Sequence, residues 1–375
     1  MAQQGPSSQP ATTIRNDVDP ETWRTLYGKF ATLLHINPWP WLEQKDFFAI
    51  RVPESDATAF LHFRGSGKDR EILIVLGESD EASYLAITSG IDHANLRSFE
   101  TSTVRILLRD VAAMTDFERA AMQTAGAVPD ADGRAPIFVR YRPGWIPWAL
   151  DHKEAVATAS VLNQALGIIL RAETDKSIVI REDPRRLWRR AYDAKSSEWK
   201  ESWVLVPQFT DIIPGPLPRQ TLIDKVNALP EAQQPFEIDI DVLPRAALVN
   251  KAVMSACNGG ALPVGYFLVI ADSSRPEDPS SALHGSIMYP CGDIERFWRS
   301  VPKLILDALV ASGRRPHGIS VSSGRLMTLL RPLQTKIRFR LTFHERLPRC
   351  AAIMGSTTRA LDEAIEKLGH GNKPQ

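Results

Sequence analysis

The sequence predicts an α/β protein in two parts: an α+β N-terminal domain and a C-terminal domain built on a mixed sheet. Three observations point there. Helical and strand periodicities alternate along the chain, a proline-rich stretch interrupts them, and the order of elements changes across that stretch. Of 375 residues, 43% are hydrophobic and 24% charged, with nine Trp, fourteen Phe and six Tyr. That supplies apolar surface for about two cores and excludes disorder as the main state.

The elements follow in order. Residues 1–19 are rich in Gln, Ser, Pro and Thr and are expected to be a disordered lead. Asp19 then Pro20 reads as an N-cap with proline at the first helical position. Trp23, Leu26, Tyr27, Phe30, Leu33 and Leu34 recur at helical spacing until Pro38 and Pro40 stop the helix. Strands are expected over 47–52, 59–63, 71–76 and 104–108, a helix over 115–124 and a strand over 137–141. A long helix over 151–172 carries Val156, Leu162, Ala165, Leu166, Ile169 and Leu170 on one face, and a strand over 178–180 follows. This gives a Trp-rich domain over 20–206. Residues 207–218 (PQFTDIIPGPLP) hold four prolines and no period, the mark of a stiff connector.

The second domain spans 219–369, with a tail over 370–375. It reads as a helix over 219–229 and strands over 236–243, 266–271 and 284–289. A helix over 294–311 follows, opened by Gly292-Asp293 and ended by Gly313. Strand 318–322, helix 324–336, strand 337–343 and helix 357–368 complete it. The β-β-β-α-β-α-β-α order resembles the ribonuclease H-like fold. That resemblance implies a central strand over 236–243, beside both 266–271 and 318–322, and a metal-binding Asp on it.

Several chemistries lack their residues. Gly65-Ser66-Gly67-Lys68 has no P-loop spacing and sits between two strands, so a hairpin turn is expected. The eight His never fall four apart and no Cys pair has ligand spacing, so neither metal nor cofactor is expected. No G-x-S-x-G elbow is present, and nothing in the sequence sets a base beside Cys257. Cys257, Cys291 and Cys350 are far apart, which suits a reducing cytoplasm. No apolar run approaches the ~18 residues of a membrane helix, and MAQQGPSSQPATT lacks the apolar segment of a secretory signal.

Two charge patterns remain. Glu237, Asp239 and Asp241 alternate with apolar residues and so share one strand face, and Asp272 ends the next strand. They are candidate ligands for two-metal catalysis, but strand 318–322 ends in Ser322-Ser323 and offers no third acid. A half-exposed or edge strand with a solvated acidic face is the favoured reading. From Arg296 to Arg349, twelve Lys and Arg face two acids, an excess of ten in a chain of net charge +1. Within it, Arg314, Arg315, Arg338 and Arg340 stand out, the last two alternating with Ile337, Phe339 and Leu341 on an expected strand. A second cluster, Arg185, Arg186, Arg189 and Arg190, surrounds Trp188. Such asymmetry marks a face for polyanions.

Pro38-Trp39-Pro40-Trp41-Leu42, Tyr141-Arg142-Pro143-Gly144-Trp145-Ile146-Pro147-Trp148, Leu162-Asn163-Gln164-Ala165-Leu166, Phe236-Glu237-Ile238-Asp239, Leu268-Val269-Ile270-Ala271-Asp272 and Arg314-Arg315-Pro316 resemble a bacterial domain of unknown function, the 6930 type, with a Trp-rich N-terminal domain. The resemblance implies no activity. It departs in the long loops 244–265 and 273–283 and around Gly65. Trp39, Trp41, Trp145 and Trp148 are expected to form a structural aromatic cluster, with an aromatic ligand pocket as the competing reading.

The first reading is therefore a non-catalytic cytoplasmic interaction module whose basic face binds nucleic acid or an acidic protein, with no membrane association. A metal-dependent ribonuclease H-like nuclease using Asp239, Asp241 and Asp272 with Glu237 is second. A purely structural partner-binding protein is third.

Overall fold

In a computed structural model of the chain, the described residues are 17–43, 45–88, 99–181, 183–208, 217–242, 264–272, 283–291 and 293–370. The Asp19 carboxylate accepts from the Thr22 N–H at 2.8 Å, and Pro20 opens α1 (Pro20–Ile36). Asn37 closes it in the left-handed region. Seven strands form the first sheet: β1 (Phe48–Arg51), β2 (Ala59–Arg64), β3 (Glu71–Leu76), β4 (Thr103–Asp110), β5 (Arg134–Tyr141), β6 (Arg186–Asp193) and β7 (Glu198–Leu205). Their order is β5-β4-β3-β2-β1-β6-β7, antiparallel except where β6 runs parallel to β1.

Helices α1, α3 (Asp116–Thr124) and α4 (His152–Thr174) cover one face over Trp23, Phe30, Ile50, Leu61 and Leu162. Helix α2 (Glu78–Thr88) brings Tyr84 over Phe47, Phe60 and Leu73 on the other. The α4 start is a reciprocal cap, with Asp151 accepting from the Glu154 N–H and Glu154 from the Asp151 N–H. At 23 residues α4 is, against the sequence expectation, long and apolar enough to cross a membrane by length and composition alone. Here it packs on α1, with Ala155, Leu162, Ala165, Ile168 and Ile169 buried.

The second sheet contains β8 (Phe236–Val242), β9 (Val264–Asp272), β10 (Leu283–Cys291), β11 (Gly318–Val321) and β12 (Arg340–Phe343) in the order β10-β9-β8-β11-β12. β8 pairs antiparallel with β9 and parallel with β11, so it is central, as the element order predicts. Parallel pairing of β8, β11 and β12 requires crossovers, supplied by α6 (Ile294–Ser312) and α7 (Gly324–Ile337). With α5 (Gln220–Asn227), these helices enclose Phe236, Ile238, Tyr266, Trp298 and Leu330. Helix α8 (Pro348–His370) covers the opposite face, packing Cys350 and Ile353 over Phe267 and Val269. Asp293 caps α6, and Gly313 ends it at φ 70°.

Three expectations are corrected. The strand over 178–180 is a short 3₁₀ turn, Lys176–Ile178, held by the Asp175 side chain on the Ser177 N–H. The strand over 337–343 begins only at Arg340, because α7 runs on to Ile337, fully buried in the second core. Arg338 is that helix's left-handed cap at φ 61°. Helix 357–368 starts nine residues earlier, at Pro348. Helix α2 and the β6–β7 hairpin were not anticipated. Of the proline-rich connector, residues 209–216 lie outside the described set, as do Cys257 and most of the loops 244–265 and 273–283.

The two sheets meet at a buried clasp. Phe99 belongs to the second core although it precedes β4 of the first sheet. Next to it, the Glu100 carboxylate accepts from the Tyr266 hydroxyl at 3.0 Å, from Trp298 Nε1 at 2.7 Å and from the Arg325 guanidinium. The Pro143-Gly144 turn adds main-chain links: Gly144 N–H donates to Phe99, and Val264 N–H to Gly144, both at 2.9 Å.

The β2–β3 hairpin offers a local test. Gly65 has φ +75°, and a Cβ there would lie 1.9 Å from the Asp69 carbonyl oxygen; Gly67, at φ +55°, opens on free space. Gly65→Ala should destabilise by about 2–3 kcal/mol, and Gly67→Ala by about 1 kcal/mol. Urea unfolding measures both, and equal losses would contradict the clash.

Candidate functional site

Strand β8 places Glu237, Asp239 and Asp241 on one face and Phe236, Ile238, Ile240 and Val242 on the other. β8 is not an edge, so its acidic face is no open solvated surface: α8 lies across it. Glu237, 8% exposed, accepts from the main-chain N–H of Arg349 at 2.8 Å and of Cys350 at 3.1 Å. It therefore caps the exposed donors of a helix start, where negative charge is favoured. Asp239 and Asp241 are half-buried and accept from the N–H groups of Ile240 and Val242 at 2.9 and 2.8 Å. The Asp272 side chain lies outside the description. Among the described residues, no three His, Cys, Asp or Glu side chains converge as metal ligands would. Burial, with Asp239 and Glu237 nearby, pushes the Cys350 thiol up, far from the reactive thiolate range.

The arginines separate by whether they are neutralised. Arg185 pairs with Asp183 at 3.0 Å, and Arg190 with Glu201 at 3.0 Å while lying over the Trp199 ring. Arg189 and Arg190 are neighbours on β6, so their side chains leave opposite faces. Arg186 is exposed. The cluster 185–190 is thus no single surface. Arg315 pairs with Glu231 and reaches the Ile337 carbonyl. Arg314 is exposed at the turn before β11.

The end of α7 and β12 differs. The left-handed Arg338 ends the helix, the Arg340 N–H donates to the His317 carbonyl at 2.8 Å, and the chain enters β12, the last strand of its sheet. Arg331, Lys336, Arg338, Arg340 and Arg346 are exposed, and none makes an ion pair among the described residues. Glu345 is the one acid between 331 and 349. Phe343, 52% exposed, and His344 stand among them. At about 3.3 Å per residue, the four residues of β12 span roughly 13 Å, with Arg331 and Lys336 on the preceding helix and Arg338 at its cap.

The tryptophans do not form one cluster. Trp39 donates to the Glu71 carbonyl at 3.2 Å and packs edge-on to Phe63. Trp41 lies beneath Lys176. Trp148 pairs with Arg140 in an isolated bridge, and Trp145 is half-buried in the Pro-Gly turn. No ring contact joins any of the four to another among the described residues.

Comparison with known proteins adds one match: residues 23–190, a little under half of the chain, fit the model of a domain of unknown function (DUF7309). That stretch runs from α1 into β6 and excludes the second sheet. No curated protein and no solved structure gives a significant match.

Glu237→Gln should cost about 1–2 kcal/mol by weakening the charged cap of α8. Thermal melts with and without millimolar magnesium measure it. A magnesium-dependent stabilisation of the native chain that vanishes in the variant would show a metal ligand instead.

Proposed function

We propose that the protein is a non-catalytic binding module that holds a polyanion along the β12 edge, nucleic acid in preference to an acidic protein. The observation that carries this is a run of cations, Arg331, Lys336, Arg338, Arg340 and Arg346, with no counter-charge among the described residues, whereas Arg185, Arg190 and Arg315 have one. A ligand with regularly spaced negative charge supplies what the fold does not. Exposed Phe343 gives a base a ring to stack on, which a carboxylate-rich peptide would not use. The ribonuclease H-like reading of the second sheet belongs to the same proposal: its strand order supports it, and its acids, with Glu237 spent on a helix cap, support binding rather than cleavage. Kinship with the 6930 type is part of the same proposal and carries no activity with it.

A single-stranded oligonucleotide should bind with a log–log salt slope of about −3.5 if five phosphates are neutralised. Arg338→Ala/Arg340→Ala should reduce that slope by about 1.4, and magnesium should produce no cleavage. Fluorescence anisotropy at several salt concentrations reads the slope, and gel analysis reads cleavage. Binding absent at low salt, or indifferent to the double substitution, would move the assignment to a protein partner.

A further inference from the structure

A cleft of about 430 Å³ runs along α1, walled on its other side by the turn after α3 and by β4 and β5. On α1 its lining keeps helical spacing: Arg24, Tyr27, Gly28, Ala31 and Leu34 share one stripe. Gly28 keeps the cleft open, since a Cβ there would meet nothing within 4 Å. Facing the stripe are Leu108 on β4, Pro136 on β5, and Ala127 and Val128 in the turn. Val128 is 84% exposed, a large apolar side chain left uncovered beside an apolar cleft.

The polar groups of the cleft divide into a satisfied pair and an unsatisfied one. Arg134 bonds Asp130 at 3.4 Å, Asp132 at 3.2 Å and the Lys68 carbonyl at 2.7 Å. Asp130 also accepts from the Arg134 N–H at 2.9 Å. Arg24, by contrast, is exposed and makes no ion pair among the described residues. Tyr27 is only 6% exposed, and its hydroxyl has no hydrogen-bond partner among the described residues. That hydroxyl is not sealed in, as Nε1 of the adjacent Trp23 is. A largely buried hydroxyl without a partner is costly. Edge-on packing against Trp23 and Phe138 holds the Tyr27 ring, and helical side chains lean towards the N-terminus, which brings it towards Arg24. Burial, and after it the Glu118 carboxylate, raises the phenol, so at neutral pH it is a donor. Glu118 itself is taken by Arg109 at 2.9 Å and by the Thr115 hydroxyl at 3.0 Å. The unmet demand is therefore for an anionic acceptor with an apolar body.

We propose that this cleft binds a single-chain fatty carboxylate, its head at the Arg24 guanidinium and the Tyr27 hydroxyl and its chain over Gly28, Ala31 and Leu34. A carboxylate only accepts, which is what an unpaired guanidinium and a phenol O–H require. The volume equals roughly fourteen waters, so the ligand has up to about fourteen non-hydrogen atoms. The site shares no residue with the basic β12 edge.

The test is calorimetric titration of the full chain with decanoate, n-decylammonium and acetate, all below micelle-forming concentrations. Decanoate should bind at least tenfold more tightly than decylammonium, and acetate should not bind measurably. Arg24→Gln should weaken decanoate at least tenfold, and Tyr27→Phe about fivefold. Gly28→Leu, which fills the cleft without a clash and is checked by its melting curve, should abolish decanoate binding. Equal affinity for decanoate and decylammonium, no decanoate binding to the folded chain, or binding indifferent to Arg24→Gln or to Gly28→Leu would each overturn the proposal.

Discussion

One buried carboxylate fixes how the two sheets meet. Glu100 precedes β4 of the first sheet, yet its oxygens are satisfied wholly by the second half: Tyr266 on β9, Trp298 on α6 and Arg325 on α7. Arg325 is 3% exposed and lies over the Trp298 ring at 4.3 Å. Burying a carboxylate and a guanidinium costs several kcal/mol each unless geometry and hydrogen bonds compensate, so this arrangement tolerates little displacement. Trp298 and Arg325 belong to the two crossover helices of the second sheet. Placing them places the rest: α7 starts at the clasp, where Ser323 caps it, and ends at Arg338, where the basic edge begins.

Much of the fold was legible because local signals agreed with one another. Asp19-Pro20 and the Asp293–Gly313 pair each mark a helix end by local chemistry that does not depend on tertiary context. The central place of β8 followed from chain order and the need for crossovers in parallel pairing. What failed did so where tertiary context outweighed local pattern. Ile337 alternates with Arg338 as a strand would, but the apolar face of α7 needs one more buried residue and takes it. The β6–β7 hairpin was hidden because the arginines around Trp188 on β6 read as a charge cluster rather than as two strand faces.

Candidate site residues were harder still, since sequence counts charges and not their neutralisation. Arg185 and Arg338 look alike in the chain; one has Asp183 at 3.0 Å and the other has no counter-charge among the described residues. Glu237 looked like Asp239 and Asp241, and only the start of α8 over β8 distinguishes it as a helix cap. Glu100 carries no signal at all: a lone acid before a strand becomes decisive through partners more than 160 residues away.

The clasp is tested most directly by a double-mutant cycle of Glu100→Gln and Arg325→Met, followed by urea unfolding. Each single substitution strands a charge inside the protein and should cost about 3–5 kcal/mol. The double substitution removes both charges and should cost clearly less than their sum, leaving a coupling of about 2 kcal/mol or more. Additive losses would contradict the account, because Glu100 and Arg325 would then not depend on each other.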